Sequence, residues 1–301
     1  MSIRITTGGP VNFPGFGLTI EHLIKGFDLF GLHISLSGIL LAFAMLLGLF
    51  VTERLAKKTE QNTEQYLDLA IRVVLAGVIG ARVGYIITHW QLFINDQANV
   101  LNISDGGMDF TGALVAGFIV SLVYCRQKKL SWLLVCDTAL PGIVLGQMLS
   151  CIGGFFDRRE LGTFSTGKFA MQVAMQDVDA KALRMGRNMH MVNGEFLQVH
   201  PVVLYEVALL FVLFLVLLIL WKKNKLNGMV VSGYLIVYGS ITFGLEFVRL
   251  DSQKLLGSRV SIEHVVAIGL ILTGIAILAE QINKYRNTQK AQPKNFISKS
   301  K

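Results

Sequence analysis

Seven stretches of this chain are apolar over the span that a bilayer's hydrocarbon core demands of a helix, and that repetition leaves few folds open. They run about Phe30–Val51, Tyr66–Thr88, Phe110–Cys125, Leu133–Phe156, Pro201–Trp221, Met229–Asp251 and Ile262–Ile282. With 301 residues, 52% of them hydrophobic and only 16% charged, the whole length fits one helical bundle in a membrane. The expectation is an all-α polytopic membrane protein. It would be a single integral domain over 1–301 with about seven transmembrane helices. Thirty glycines suit helices that pack closely in lipid. The cysteines at 125, 136 and 151 have no metal-type spacing and read as packing residues without a disulfide.

Positive charge sets the expected orientation. The connections after spans one, three and five hold Arg54, Lys57 and Lys58; Arg126, Lys128 and Lys129; and Lys222, Lys223 and Lys225. The basic tail, 284–301, adds Lys284, Arg286, Lys290, Lys294, Lys299 and Lys301, whereas 90–109 has no Lys or Arg. The tail is therefore expected in the cytoplasm and the N-terminus outside. This distribution explains the net charge of +8 without nucleic acid. Residues 1–29 lack the features of a signal peptide and read as an interfacial N-terminal segment. Residues 157–199 are too long for a turn. They read as a small extracytoplasmic cap between spans four and five, partly β at KFAMQVAMQ and GEFLQV.

Polar groups collect where an apolar bundle would not choose them. Span six carries Tyr238, Thr242, Glu246 and Arg249 at steps of four, four and three residues, which is one helical face. A charge there needs a partner or a polar cavity. Glu246 bonded to Arg249 one turn on is one reading, and a polar site inside the bundle is the other. Arg82 lies in GVIGARVGYIITHW, and span three opens with DGGMDFTGAL. Span four ends in GQMLSCIGGFFDRRELG, and span five opens with HPVVLYE, which holds His200, Tyr205 and Glu206. Under the orientation above, all of these fall on the outer half. Glu206 and Glu246 supply carboxylates; Arg82, Arg249 and Arg158 or Arg159 supply guanidinium groups. The planar fork of Arg suits phosphate, so an anionic phospholipid headgroup fits.

Taken in order, these stretches resemble the prolipoprotein diacylglyceryl transferase family of bacterial inner membranes. GARVGY at 80–85 is similar to its GGRxGY, and DGGMDFTGAL at 105–114 to GGMSFHGGL. GQMLSCIGGFFDRRELG at 146–162 stands at the place of GRxGNFxNGExxG. HPVVLYE at 200–206 resembles HPxQLYE, and YGSITFGLEFVRLD at 238–251 resembles YGxxRfxvEFfRxPD. The resemblance implies transfer of a diacylglyceryl group from phosphatidylglycerol to the lipobox cysteine thiol in a prolipoprotein signal peptide. It also implies a multi-pass protein of the bacterial plasma membrane, with no cofactor and no metal. A monomer that engages membrane lipid and no nucleic acid is expected.

Carried over position by position, the resemblance places Glu206, Glu246, Tyr238, Thr111 and Thr242 at catalytic positions. It places Arg82, Gln147, Ser150, Tyr205, Arg249 and His200 at phospholipid-binding ones. Several residues depart from the pattern. Thr111 stands for the family's His, Gln147 and Thr242 for Arg, Ser150 for Asn, and Ser37 for a Tyr; the Glu of NGE falls near Phe155. Three readings follow: an active transferase with altered site residues, a degenerate member that still binds phospholipid or signal peptides, and a small transporter or channel.

Overall fold

The computed structural model describes residues 4–29, 32–93, 107–158, 160–175, 178, 191–192, 195–223, 226–250 and 260–291. Arg159, Lys225, Asp251, most of the connection after span two, part of the 157–199 stretch and the last ten residues of the tail lie outside them. The chain divides into two compact units, Met1–Gly48 with Leu140–Lys301, and Leu49–Ala139.

Among the described residues, seven longer helices carry the fold. They are α1 (Leu36–Lys58), α2 (Thr63–Thr88), α4 (Phe110–Gln127), α5 (Trp132–Phe156), α6 (Val202–Lys222), α7 (Met229–Leu245) and α8 (Ile262–Ala291), with a short α3 (Trp90–Phe93). Six of them are long and apolar enough to cross a membrane, and α7, with 17 residues, is shorter. The molecule is thus a helical polytopic membrane protein. Helix α6 shows why the apolar pattern runs all round. Leu210, Leu213 and Leu217 are fully buried, while Phe211, Val212, Leu215 and Ile219 are exposed. One stripe packs on protein, and the rest suits lipid tails.

In the unit Leu49–Ala139, α2 and α4 meet through small residues. A Cβ on Gly112 would stand 2.3 Å from the Gly80 carbonyl oxygen, so only glycine permits this approach. Asn62 caps α2 by accepting from the Glu64 amide, and Asp109 caps α4 by accepting from the Gly112 amide, each at 3.0 Å. Near the other end of α4, the Tyr66 hydroxyl bonds Gln61, whose Nε2 donates to Thr138 Oγ1 at 3.2 Å.

The other unit adds strands to its helices. β1 (Arg4–Gly8), β4 (Leu23–Leu29) and β5 (Leu32–Ser35) form one antiparallel sheet in the order β1-β4-β5. A second sheet takes β2 (Val11–Phe13), β3 (Leu18–Ile20), β6 (Met171–Ala174), β7 (Met191–Val192) and β8 (Phe196–Val199) in the order β3-β2-β6-β8-β7. Val11 pairs with Val173, and Val173 with Leu197; all three are buried in one apolar core with Leu23, Leu161, Met171 and Val199. The first residues of the chain are therefore sheet partners of the segment before α6. β6 and β8 lie in the two stretches that read as β. β5 leads straight into α1, which begins later than the apolar run because Leu32–Ser35 is extended, and α1 continues through ERLAKK to Lys58.

Span six needs a correction. The helix stops at Leu245, so Glu246 is its C-cap and Arg249 does not share a helical face with Tyr238 and Thr242. The physical reason lies in the backbone. Thr163 donates to the Val248 carbonyl at 2.7 Å, Leu250 donates to the Leu161 carbonyl at 3.0 Å, and Gly162 bridges Arg249. These strand-like bonds replace the next helical turn.

Candidate functional site

The segment Leu161–Thr163 is the clamp that assembles the site. On one edge it holds residues 248–250, as above. On the other, Gly162 donates to the His200 carbonyl at 3.1 Å and His200 donates to the Thr163 carbonyl at 2.9 Å. The ends of α5 and α7 and the start of α6 are thereby tied at one place. Gly162 allows this: a Cβ there would lie 2.5 Å from the His200 oxygen and 2.6 Å from its Cβ. Arg158 and Glu160, just before the clamp, take positive φ angles of 54° and 58°, an unfavourable conformation for side-chain-bearing residues.

That geometry aims Glu160 at Arg249. Arg249 Nη2 lies 2.5 Å from Glu160 Oε2, with side chains 22% and 38% exposed. The expected pairing of Arg249 with Glu246 is thus replaced by a pairing across 89 residues of sequence, which only the backbone clamp could supply. Glu206, in the first turns of α6, makes side-chain contacts with Glu160 and Cys151 and lies in electrostatic range of Arg249. Tyr238 of α7 makes side-chain contacts with Gln147 and Thr242 and senses Glu206 and Cys151. Gln147 and Cys151 sit one helical turn apart on α5, and Ser150 stands beside Cys151. Next to this group, His200 Nδ1 and the Tyr205 hydroxyl are 3.3 Å apart.

The cluster joins two carboxylates to one guanidinium, with a phenol, an amide and a hydroxyl around them. Its formal charge is one negative in excess when both acids are ionised. A carboxylate in such a group can take a proton from an incoming acid within hydrogen-bond reach. The guanidinium offers an anion the fork that Glu160 now occupies.

Arg82 and Thr111 belong to the unit Leu49–Ala139. Arg82 Nη1 donates to the Gly107 carbonyl at 3.0 Å and its guanidinium stands 5.8 Å from the Tyr85 ring, while Thr111 is exposed in the first turn of α4. Arg158 is 6% exposed and donates to the Gly9 carbonyl, so it ties the end of α5 to the β1–β2 turn. Glu246 is 3% exposed and lies against Ser261 at the start of α8. Cys151, Glu160, Ser261 and His264 were not singled out from sequence. The i, i+4 spacing of Gln147 and Cys151 was an available signal for one of them.

The fold and this cluster define a class: a polytopic helical membrane protein with a carboxylate–guanidinium site gathered at helix ends. More narrowly, the chain belongs to the prolipoprotein diacylglyceryl transferase family, whose model matches residues 25–280. It is 29% identical over 252 residues to the phosphatidylglycerol–prolipoprotein diacylglyceryl transferase of Finegoldia magna, covering 83% of this chain and 92% of that one. The enzyme of the same name from Clostridioides difficile is 29% identical over 229 residues, 76% of this chain and 84% of its own. That of Lysinibacillus sphaericus is 28% identical over 250 residues, 81% and 87% of the two chains.

Proposed function

We propose that this protein transfers the diacylglyceryl group of phosphatidylglycerol to the cysteine thiol of prolipoprotein signal peptides. The observation that carries this reading is the meeting of Glu206, Glu160 and Arg249 beside Tyr238. The thiolate is the nucleophile, so the substrate thiol must first lose its proton. Glu206, crowded by Glu160, is the acceptor for that proton. The sulfur then attacks a glycerol carbon of the lipid, the carbon–oxygen bond to phosphate breaks, and glycerol phosphate leaves. Arg249 exchanges Glu160 for the phosphate and offsets its charge. Gln147 and Thr242 hydrogen-bond the headgroup without adding charge. Ser150, Tyr205, His200 and Glu246 keep the roles expected from the resemblance. The enzyme would act as a monomer in a bacterial inner membrane, with its N-terminus outside and its C-terminus in the cytoplasm.

One observation favours a second reading. Tyr238 is flanked by Gln147 and Thr242, which carry no positive charge, and a pocket short of cations binds lipid more readily than it turns it over. The test is thiol lipidation of a synthetic lipobox peptide by purified protein in phosphatidylglycerol vesicles. Thioether formation supports the transferase. Retained phosphatidylglycerol in native mass spectra with no thioether formed establishes the binding reading instead.

A further inference from the structure

Just past α7, Glu246 is buried, and among the described residues neither carboxylate oxygen has a hydrogen-bond partner. It lies against Ser261, with Glu263, Arg249 and His264 in electrostatic range. Ser261 and His264, 1% and 5% exposed, open α8 as a reciprocal cap. The His264 amide donates to Ser261 Oγ at 3.2 Å, and the Ser261 amide donates to His264 Nδ1 at 3.3 Å. This is the capping-box arrangement with an imidazole in the place usually held by Glu or Gln. Ser261 Oγ and His264 Nδ1 are 2.7 Å apart.

A backbone N–H aimed at Nδ1 calls for a lone pair there, which puts the proton of the neutral ring on Nε2. Among the described residues, Nε2 is buried without a partner, as is Glu263 Oε2. Phe243 and Phe247 stand edge-on to the ring at centroid distances of 4.9 and 4.7 Å. The surroundings are therefore apolar on the helix side, where an unpaired charge is strongly unfavourable. Burial pushes the Glu246 carboxyl above the ordinary carboxylate range; Ser261 draws it down, Glu263 raises it, and Arg249 and His264 lower it. Arg249 is already ion-paired to Glu160. The His264 imidazole is the group of this set that shares a close contact with the Ser261 hydroxyl. Among the described residues no group of three or more His, Cys, Asp or Glu is arranged to hold a metal ion.

We propose that His264 is a positioning residue that shares one proton with Glu246 through the Ser261 hydroxyl. In one arrangement Glu246 is a carboxylic acid, the ring is neutral, and the Ser261 hydroxyl donates to Nδ1. In the other, the Glu246 proton has passed to Ser261 Oγ as the Ser261 proton passed to Nδ1. The imidazolium then donates to Ser261 Oγ, and Ser261 donates to the carboxylate. Two protons each move one step toward the imidazole, Ser261 ends as a hydroxyl, and the net charge of Glu246, Ser261 and His264 together does not change. Glu246 can thus hold a charge at the site end of α7 only while His264 answers it. The consequence for turnover rests on the transferase reading above.

Two variants separate this role from the helix cap. His264→Gln keeps the capping hydrogen bond, because Gln serves at that position, but cannot titrate. Ring-nitrogen NMR signals of His264, identified by their loss in His264→Gln, are compared between wild type and Glu246→Gln in phosphatidylglycerol nanodiscs. The expected result is a clear change in those signals; superimposable signals overturn the proposal. For lipidation, removing the imidazolium makes the carboxylate harder to form. The acid limb of the pH profile should therefore move to higher pH by about one unit in His264→Gln, with folding unchanged. Coincident profiles also overturn the relay. A wild type with no lipidation at any pH counts against the transferase reading, and the NMR comparison then decides the relay alone.

Discussion

At the residue scale, isolated charges in apolar stretches were readable, and their partners were not. Glu206, Tyr238 and Arg249 stand out because a polar group in such a segment needs a reason. The sequence left open whether Arg249 pairs with Glu246 or joins a polar site in the bundle, and its ion-pair partner in space is Glu160. No periodicity carries that information, since it depends on backbone bonds between segments far apart in sequence. Arg249→Lys should lower lipidation about 100-fold, because a lysine keeps the charge but loses the fork that phosphate and Glu160 both use. Initial rates with a synthetic lipobox peptide decide it, and a near-wild-type rate would remove Arg249 from the chemistry. Gln147 and Thr242 both touch Tyr238, so Gln147→Arg with Thr242→Arg should raise the rate more than either change alone. Adding Thr111→His should raise it further. No gain from the combined variants would show that the missing cations do not limit turnover.

At the element scale, the helices of spans two to five were legible to within three residues. Helix α1 starts six residues and ends seven residues later than the expected first span, and α8 runs nine residues past the expected seventh. The strands of the first 35 residues were not legible. β2 is three residues long and its pairing partner, β6, lies far along the chain, so no local alternation announces the sheet. The short end of α7 was hidden for the same reason: the residues that interrupt it are 161–163. This makes Gly162 the most sensitive glycine of the clamp. Gly162→Ala should cost about 1–3 kcal/mol of stability, since the His200 backbone must give way, and should weaken activity by moving Arg249. Gly244→Ala is the control. It lies near the end of α7 with nothing within 4 Å of an added Cβ, and alanine favours the helix. Thermal unfolding in detergent should separate the two variants. Equal melting temperatures would mean that the clamp tolerates a side chain.

At the scale of the whole molecule, the multi-pass helical class was readable from hydropathy alone, because lipid leaves so few solutions for a backbone. Orientation rests on charge. In the unit Met1–Gly48 with Leu140–Lys301, β5 enters α1, the clamp ties the end of α5 to the start of α6 and the end of α7, and α8 opens beside Glu246. In that unit α6 starts at the clamp and α8 beside Glu246, and their far ends carry Lys222, Lys284 and Arg286. Lys and Arg in short connections favour the cytoplasm, whereas the longer 157–199 stretch weighs less in spite of its own basic residues. With the proposed orientation, the site cluster would face the outer leaflet, on the side of an anionic lipid headgroup. Reporter fusions after Lys129 and after Lys225 should read as cytoplasmic, and one near Met185 as external. A cytoplasmic signal at Met185 would invert the assignment and put the Glu206–Glu160–Arg249 cluster on the inner face.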